Sequence, residues 1–305
     1  MANHSQKQNT TSSLAMFSAS ECVTWLTVFG LEGVAIVTLN ALTIVAYMKE
    51  RSLHRRGMYL VIHLAVADMF VGACVIIENW NLGNTCDFWM INHRNPLSLL
   101  IFALYRAFPA ASAINLAAIS LERTHATFRP FQHHLIKKKI FGAAVATVWI
   151  TAGLISTSFV LVAVLHSQAL HIFDISWLSV FMLCDLIIVV SYSSMAIKIV
   201  CGTRPHHHGA TSRERKLTKT LFIVTVVSLL LKLPCLIFET LERNLLSTYM
   251  MISPRTYFRL NNFFLFLCYA NPLVNPVLYA FRMPEFKRAL FSILHCRSQP
   301  QSTQV

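Results

Sequence analysis

Residues 256–281 read TYFRLNNFFLFLCYANPLVNPVLYAF, an apolar run with a single charge, Arg259, and two prolines, Pro272 and Pro276, in its second half. A helix needs roughly 20 such residues to cross the hydrocarbon of a bilayer. Within hydrocarbon the backbone amides must be satisfied inside their own segment, so a run this long reads as a spanning helix rather than a strand. Prolines bend membrane helices because each removes one backbone donor. Asn271 and Asn275 place amide groups at a depth where polar atoms are costly, which makes them functional candidates.

Six further apolar blocks precede this one, near 23–48, 57–80, 97–125, 139–165, 173–200 and 217–240. The links between them, near 49–56, 81–96, 126–138, 166–172, 201–216 and 241–255, are too short to hold another folded unit. With 305 residues, 55% hydrophobic and only 13% charged, the chain suits a membrane protein far better than a soluble globule. The expected architecture is an all-α bundle of seven transmembrane helices with a short amphipathic helix after the last. Residues 1–22 form an extracellular segment, 23–281 the bundle, and 282–305 the amphipathic helix and tail. In that helix Phe281, Phe286, Leu290, Phe291 and Leu294 recur at helical spacing among Arg282, Lys287 and Arg288.

A net charge of +13 raises the prospect of nucleic acid, but the basic residues lie mostly on one side of the bundle. Alternate links carry Lys49, Arg51, Arg55 and Arg56; Arg129, Lys137 and Lys138; and Arg204, Arg213, Arg215 and Lys216, while Lys287, Arg288 and Arg297 follow the last span. The positive-inside rule puts those links in the cytoplasm and the N-terminus outside, with the lipid bilayer as the partner and no nucleic acid. No cleavable signal peptide is expected. Asn3-His4-Ser5 and Asn9-Thr10-Thr11 are glycosylation sequons on the outer side. Of eight cysteines, only Cys22 and Cys86 sit near the oxidising face, as a disulfide candidate; Cys296, beyond the amphipathic stretch, is a palmitoylation candidate.

Asp68 interrupts the second span, with Asn40 in the first, Ser112 in the third, and Asn271 and Asn275 in the seventh. Oxygen ligands at one depth can hold a small hard cation such as sodium, or form a helix-to-helix hydrogen-bond network with no ion. At the cytoplasmic end of the third span stands Glu122-Arg123-Thr124, and Glu214 precedes the sixth. Two carboxylates competing for one guanidinium make a switch; the alternative is ordinary interfacial charge. Pro234, Pro272 and Pro276 imply hinges in the last two spans. Glu32 and Glu78, in the outer halves of the first two spans, would favour a cationic ligand or a peptide with a basic residue, or else hydrogen-bond to Asn79 or another helix neighbour. Lys232, near the middle of the sixth span, needs an anion. Asp68, Asp185 and Glu239 are the nearest acids, and the alternative is that Lys232 contacts an anion in a water-filled ligand cavity. His206-His207-His208 reads as a solvated loop, with adventitious metal binding as the alternative, and no nucleophile and base are placed to meet, so no enzyme and no cofactor other than sodium are expected.

These residues together resemble class A, rhodopsin-like, G protein-coupled receptors over nearly the whole chain. Asn40, Leu64-Ala65-Val66-Ala67-Asp68, Glu122-Arg123-Thr124, Trp149, Tyr192, Pro234 and Asn275-Pro276-Val277-Leu278-Tyr279 each match a motif of a successive helix. The resemblance implies a sodium pocket of Asp68, Ser112, Asn271 and Asn275. It also implies an Arg123 that leaves Glu122 and Glu214 on activation to meet Tyr192, Tyr279 and a heterotrimeric G protein, with Pro130-Phe131 inserting into that partner. Arrestin is a further cytoplasmic partner of the family, and the plasma membrane its place.

The outer half departs from the pattern. Ser98 replaces the usual cysteine of the third helix, residues 166–172 hold none, Cys184 stands at the fifth-helix proline, and Lys232 at the sixth-helix tryptophan. These departures resemble the melanocortin, cannabinoid, lysophospholipid and adenosine branch, and Glu78 matches an acid that melanocortin receptors use. Tyr105 stands where amine receptors carry Asp, and Tyr269 where opsins carry lysine. Glu32, Glu78, Tyr105, Lys232 and Tyr269 are therefore the ligand-pocket candidates, for an extracellular ligand of open class. Two other readings are a receptor-like protein with constitutive or lost signalling, and a helical transporter, for which the expected internal repeats are missing.

Overall fold

The structure is a computed structural model that describes residues 18–54, 58–90, 96–129, 132, 138–165, 170–201, 212–244, 253–282 and 284–294. Seven long helices follow in order: α1 (Ala19–Lys49), α2 (Met58–Thr85), α3 (Pro96–Phe128), α4 (Lys138–Leu165), α5 (Leu170–Cys201), α6 (Ser212–Asn244) and α7 (Pro254–Arg282). A 3-10 turn at Arg51–Leu53 leaves α1, and a short helix α8 (Pro284–Leu294) ends the described chain. Among the described residues, α1, α2, α4, α5 and α7 contain segments long and apolar enough to cross a membrane.

Each helix overshoots its apolar block. Cys22 lies in the first turn of α1 rather than in a leading segment, α2 continues to Thr85, and α6 runs from Ser212 to Asn244. Hydropathy marks only the depth of hydrocarbon, while the hydrogen-bond ladder continues into the interface until a capping or turn signal stops it. At the start of α1, the carboxylate of Glu21 accepts the backbone N–H of Ser18 at 3.4 Å, satisfying one orphan donor.

The outer surface is apolar where a soluble domain's would be polar. Leu31, Ile150, Leu154, Leu161, Leu183, Leu186 and Leu230 are exposed, while Asn40, Asp68, Ser112, Arg123, Asn271 and Asn275 are buried within a largely apolar core. An apolar belt facing outward, with the polar groups kept inside, is what a bilayer selects. Where α1 crosses α2, small residues permit close approach: a Cβ on Gly33 would come within 2.7 Å of Ile76, and one on Gly72 within 2.8 Å of Ile36.

Helix α3 runs through the centre. Asn115 donates to the Leu60 carbonyl of α2 at 3.0 Å, and Ser156 of α4 donates to the Ala103 carbonyl at 2.7 Å. The larger buried cluster surrounds α3 and reaches Tyr192, Tyr279 and Phe286; the smaller joins Phe29, Ile36, Val71, Val75 and Tyr269. Helix α8 buries Phe286 and Ala289 beneath Tyr279 and leaves Lys287 and Arg288 outward; Phe291, which the spacing put on the apolar face, is exposed as well, as is Phe281 at the end of α7.

Candidate functional site

Polar side chains gather at three levels along the bundle. At the level of the α3 C-terminus, Arg123 is buried with 4% of its surface exposed and grips Glu122 through both its Nε and a terminal nitrogen. A two-pronged guanidinium–carboxylate contact is the strongest form of this pair, and it joins two adjacent residues of α3. Tyr192 of α5 is buried with its ring edge-on to Phe222 of α6, 5.3 Å away. Tyr279 of α7 is buried, and its hydroxyl has no protein hydrogen-bond partner among the described residues. Neither tyrosine hydrogen-bonds to Arg123. Beside them Lys198 of α5 donates to the Thr127 carbonyl at 2.7 Å and lies over Phe128 at 4.5 Å, bracing α5 against α3.

At mid-depth Asp68 is fully buried. One carboxylate oxygen accepts Ser112 Oγ of α3 at 2.6 Å and the other accepts Asn275 Nδ2 of α7 at 2.7 Å, so three helices meet on one group. Asn40 has a separate task that follows from Pro276. A proline has no N–H to give the carbonyl four residues earlier, which strands the Pro272 oxygen inside hydrocarbon. The Asn40 amide of α1 donates to that oxygen at 3.2 Å. Both side-chain atoms of Asn271, together with Asn275 Oδ1 and Ser228 Oγ, are buried without a protein hydrogen-bond partner.

At the third level a cavity of about 250 Å³ opens among α1, α2 and α7, lined by Phe29, Glu78, Asn81, Asn261, Asn262 and Tyr269, among others. Glu78 receives only a long 3.5 Å contact from Asn81. Tyr105 of α3 shares a 2.5 Å hydrogen bond with Tyr269, placing it just behind the wall. The five ligand candidates thus divide: Glu78 and Tyr269 line the cavity, Tyr105 supports it, and Glu32 and Lys232 lie outside it. Both Glu32 oxygens are buried without a protein hydrogen-bond partner, and Asn79 is not bonded to either acid.

The same end is cross-tied. Cys22 of α1 and Cys86, just past α2, form a disulfide, with Cα atoms 6.1 Å apart. Glu21 pairs with Arg255 at 3.1 Å and also with Arg259, both on α7. Pro130, Phe131, Asn3, Asn9 and Cys296 lie outside the described residues, as does the side chain of Glu214.

Two buried or bracing features escape the motif reading. Arg106 of α3 stacks over Phe159 of α4 and Trp177 of α5, each ring centroid 5.2 Å from its guanidinium carbon. Pro109 lies inside the same helix one turn on. The signal for Arg106 was present, since a charge inside an apolar span demands a partner, and aromatic faces provide one.

Residues 39–279 match the family described as 7 transmembrane receptor (rhodopsin family). The chain is 25% identical to lysophosphatidic acid receptor 3 of Homo sapiens over 279 residues, covering 85% of this chain and 75% of that receptor. It is 26% identical to melanocortin receptor 5 of Homo sapiens over 283 residues, 87% of this chain and 82% of the relative. A shorter match, 35% over 133 residues to dopamine receptor 2 of Drosophila melanogaster, covers 40% of this chain but 22% of that protein.

Proposed function

The chain belongs to the rhodopsin family of seven-transmembrane receptors and is a multi-pass G protein-coupled receptor, and from that premise we propose how its two ends divide the work. The disulfide end faces the outside of the plasma membrane, because a disulfide needs an oxidising compartment and the basic links lie at the opposite end. The Arg123 end faces the cytoplasm and meets the G protein, with arrestin as a second partner for the same surface.

The observation that carries this reading is the Arg123–Glu122 pair. It holds a buried cation through a neighbour in sequence, beside two tyrosines that do not bond to it, so Arg123 can change partners without unfolding a helix. Tyr192 and Tyr279 are the partners in the signalling state. The hinges at Pro234, Pro272 and Pro276 supply the movement. Nucleotide exchange on a panel of purified G proteins is the test. Arg123→Ala receptor at normal surface density should show no exchange above background, and Arg123→Ala coupling like wild type would defeat the reading.

For the ligand, the relatives are named for lysophosphatidic acid, melanocortin and dopamine, and do not agree on a class. The cavity favours a basic group, because Glu78 is its acid and is only weakly engaged by Asn81. Cationic peptides and amines should therefore lose potency in Glu78→Gln, while potency unchanged in that variant would exclude the cavity as the entry site.

A further inference from the structure

Lys232 is the one lysine buried to 8% exposure among the described residues, and it lies on α6 two residues before Pro234. It forms no direct hydrogen bond or ion pair with a described residue. Its field nevertheless reaches Asp68 on α2, Asp185 on α5, and the thiols of Cys184 and Cys268. One oxygen of Asp185 is buried without a hydrogen-bond partner.

The oxygen set around Asp68 suits a small hard cation: two carboxylate oxygens, Ser112 Oγ, and the side-chain oxygens of Asn271 and Asn275, the last two without protein partners. The charge balance does not suit one. A second cation at Asp68 would share the buried core with the Lys232 ammonium, and like charges repel strongly where the effective dielectric is near ~20 rather than ~80. The lysine stem extends roughly 6 Å, so the ammonium can move while the helix stays still.

We propose that Lys232 is a tethered cation for the Asp68 cluster, standing in charge where a free sodium ion would bind, so that this receptor does not respond to sodium. The inference rests on the reading of the Asp68 oxygens as a cation site, and not on coupling to a G protein. A diffusible ion can leave the cluster while α6 stays still. A tethered one leaves only when its side chain or α6 moves, so the charge state of the core is tied to the position of the helix that carries the Pro234 hinge.

Thermal unfolding of the full-length receptor in nanodiscs tests this, comparing sodium chloride with N-methyl-D-glucamine chloride at equal ionic strength. The wild type should melt at the same temperature in both. Lys232→Met, which keeps the stem and removes the charge, should gain a saturable sodium-dependent rise of several degrees, and adding Asp68→Asn should abolish it. Lys232→Arg, which retains the charge, should stay insensitive. A wild type stabilised by sodium, or a Lys232→Met protein as indifferent as wild type, overturns the proposal. Should Lys232→Met fail to fold, sodium-23 line broadening on the wild type decides alone: no saturable bound fraction is expected, and finding one defeats the inference. Neither readout involves a G protein, so failure here and failure of the receptor reading are separate results.

Discussion

The disulfide end and the Arg123 end of this bundle are held by opposite kinds of interaction. At the first, a covalent bond joins α1 to the chain beyond α2, and two arginines of α7 converge on Glu21 of α1, so three helices are cross-tied. At the second, among the described residues, the two-pronged charged contact joins Glu122 to its neighbour Arg123, and Tyr192 and Tyr279 lie in the packing without bonding to the arginine. Between them Asp68 collects donors from α3 and α7. The comparison teaches that a bundle can be fixed at one end and exchangeable at the other without any difference in helix content, because cross-helix bonds set stiffness.

The largest stability loss is expected at the fixed end. Replacing Cys22 and Cys86 together by serine releases a loop of 64 residues in sequence separation, and should lower the unfolding free energy by about 2–4 kcal/mol. Calorimetry in nanodiscs measures it, and an unchanged melting temperature would mean that packing alone closes this end. Asn40→Ala comes next. It strands the Pro272 carbonyl, for about 1–3 kcal/mol, and Asn40→Leu, which keeps the volume but offers that oxygen no donor, should be no better. Rescue by Leu would show that the amide donor is not what matters.

Smaller effects sharpen the other side. Glu122→Gln weakens the grip on Arg123 without removing hydrogen bonding, and should raise ligand-independent G protein turnover by about tenfold, equivalent to roughly 1.4 kcal/mol. Turnover at the wild-type level would show that Glu122 does not restrain the arginine. The smallest shift belongs to Glu21→Gln: its arginines are about half exposed, so the loss should stay below about 1 kcal/mol and shrink in high salt. A larger, salt-independent loss would place Glu21 in the binding chemistry instead.

Much of this was legible in the sequence for a physical reason. Lipid forces apolar length and internal hydrogen bonding, so the seven spans show as hydropathy and the core acid Asp68 as an exception to it. The mid-depth set Asp68, Ser112 and Asn275 follows from shared depth, and Cys22 with Cys86 from compartment chemistry. The cavity was harder. Glu32, Glu78 and Lys232 are all ionisable residues in spans, but which way each points depends on helix rotation and tilt, and only Glu78 reaches the cavity. The fastening of Glu21 to Arg255 and Arg259 was hidden because interfacial charges look alike until two helix ends are placed side by side. Arg106 was passed over among apolar neighbours, although its aromatic partners on α4 and α5 stabilise it there.

Spin labels at Leu121 on α3 and Val226 on α6 report the exchangeable end, and labels at Thr24 on α1 and Thr256 on α7 report the fixed one; all four positions are exposed. Distances from each pair, taken with and without a nucleotide-free G protein, test the division between the two ends most directly. The account predicts that the Leu121–Val226 distance changes by several ångströms on coupling while the Thr24–Thr256 distance stays fixed, and that Arg123→Ala removes the change. Equal movement at both ends, or movement that persists without Arg123, would contradict it.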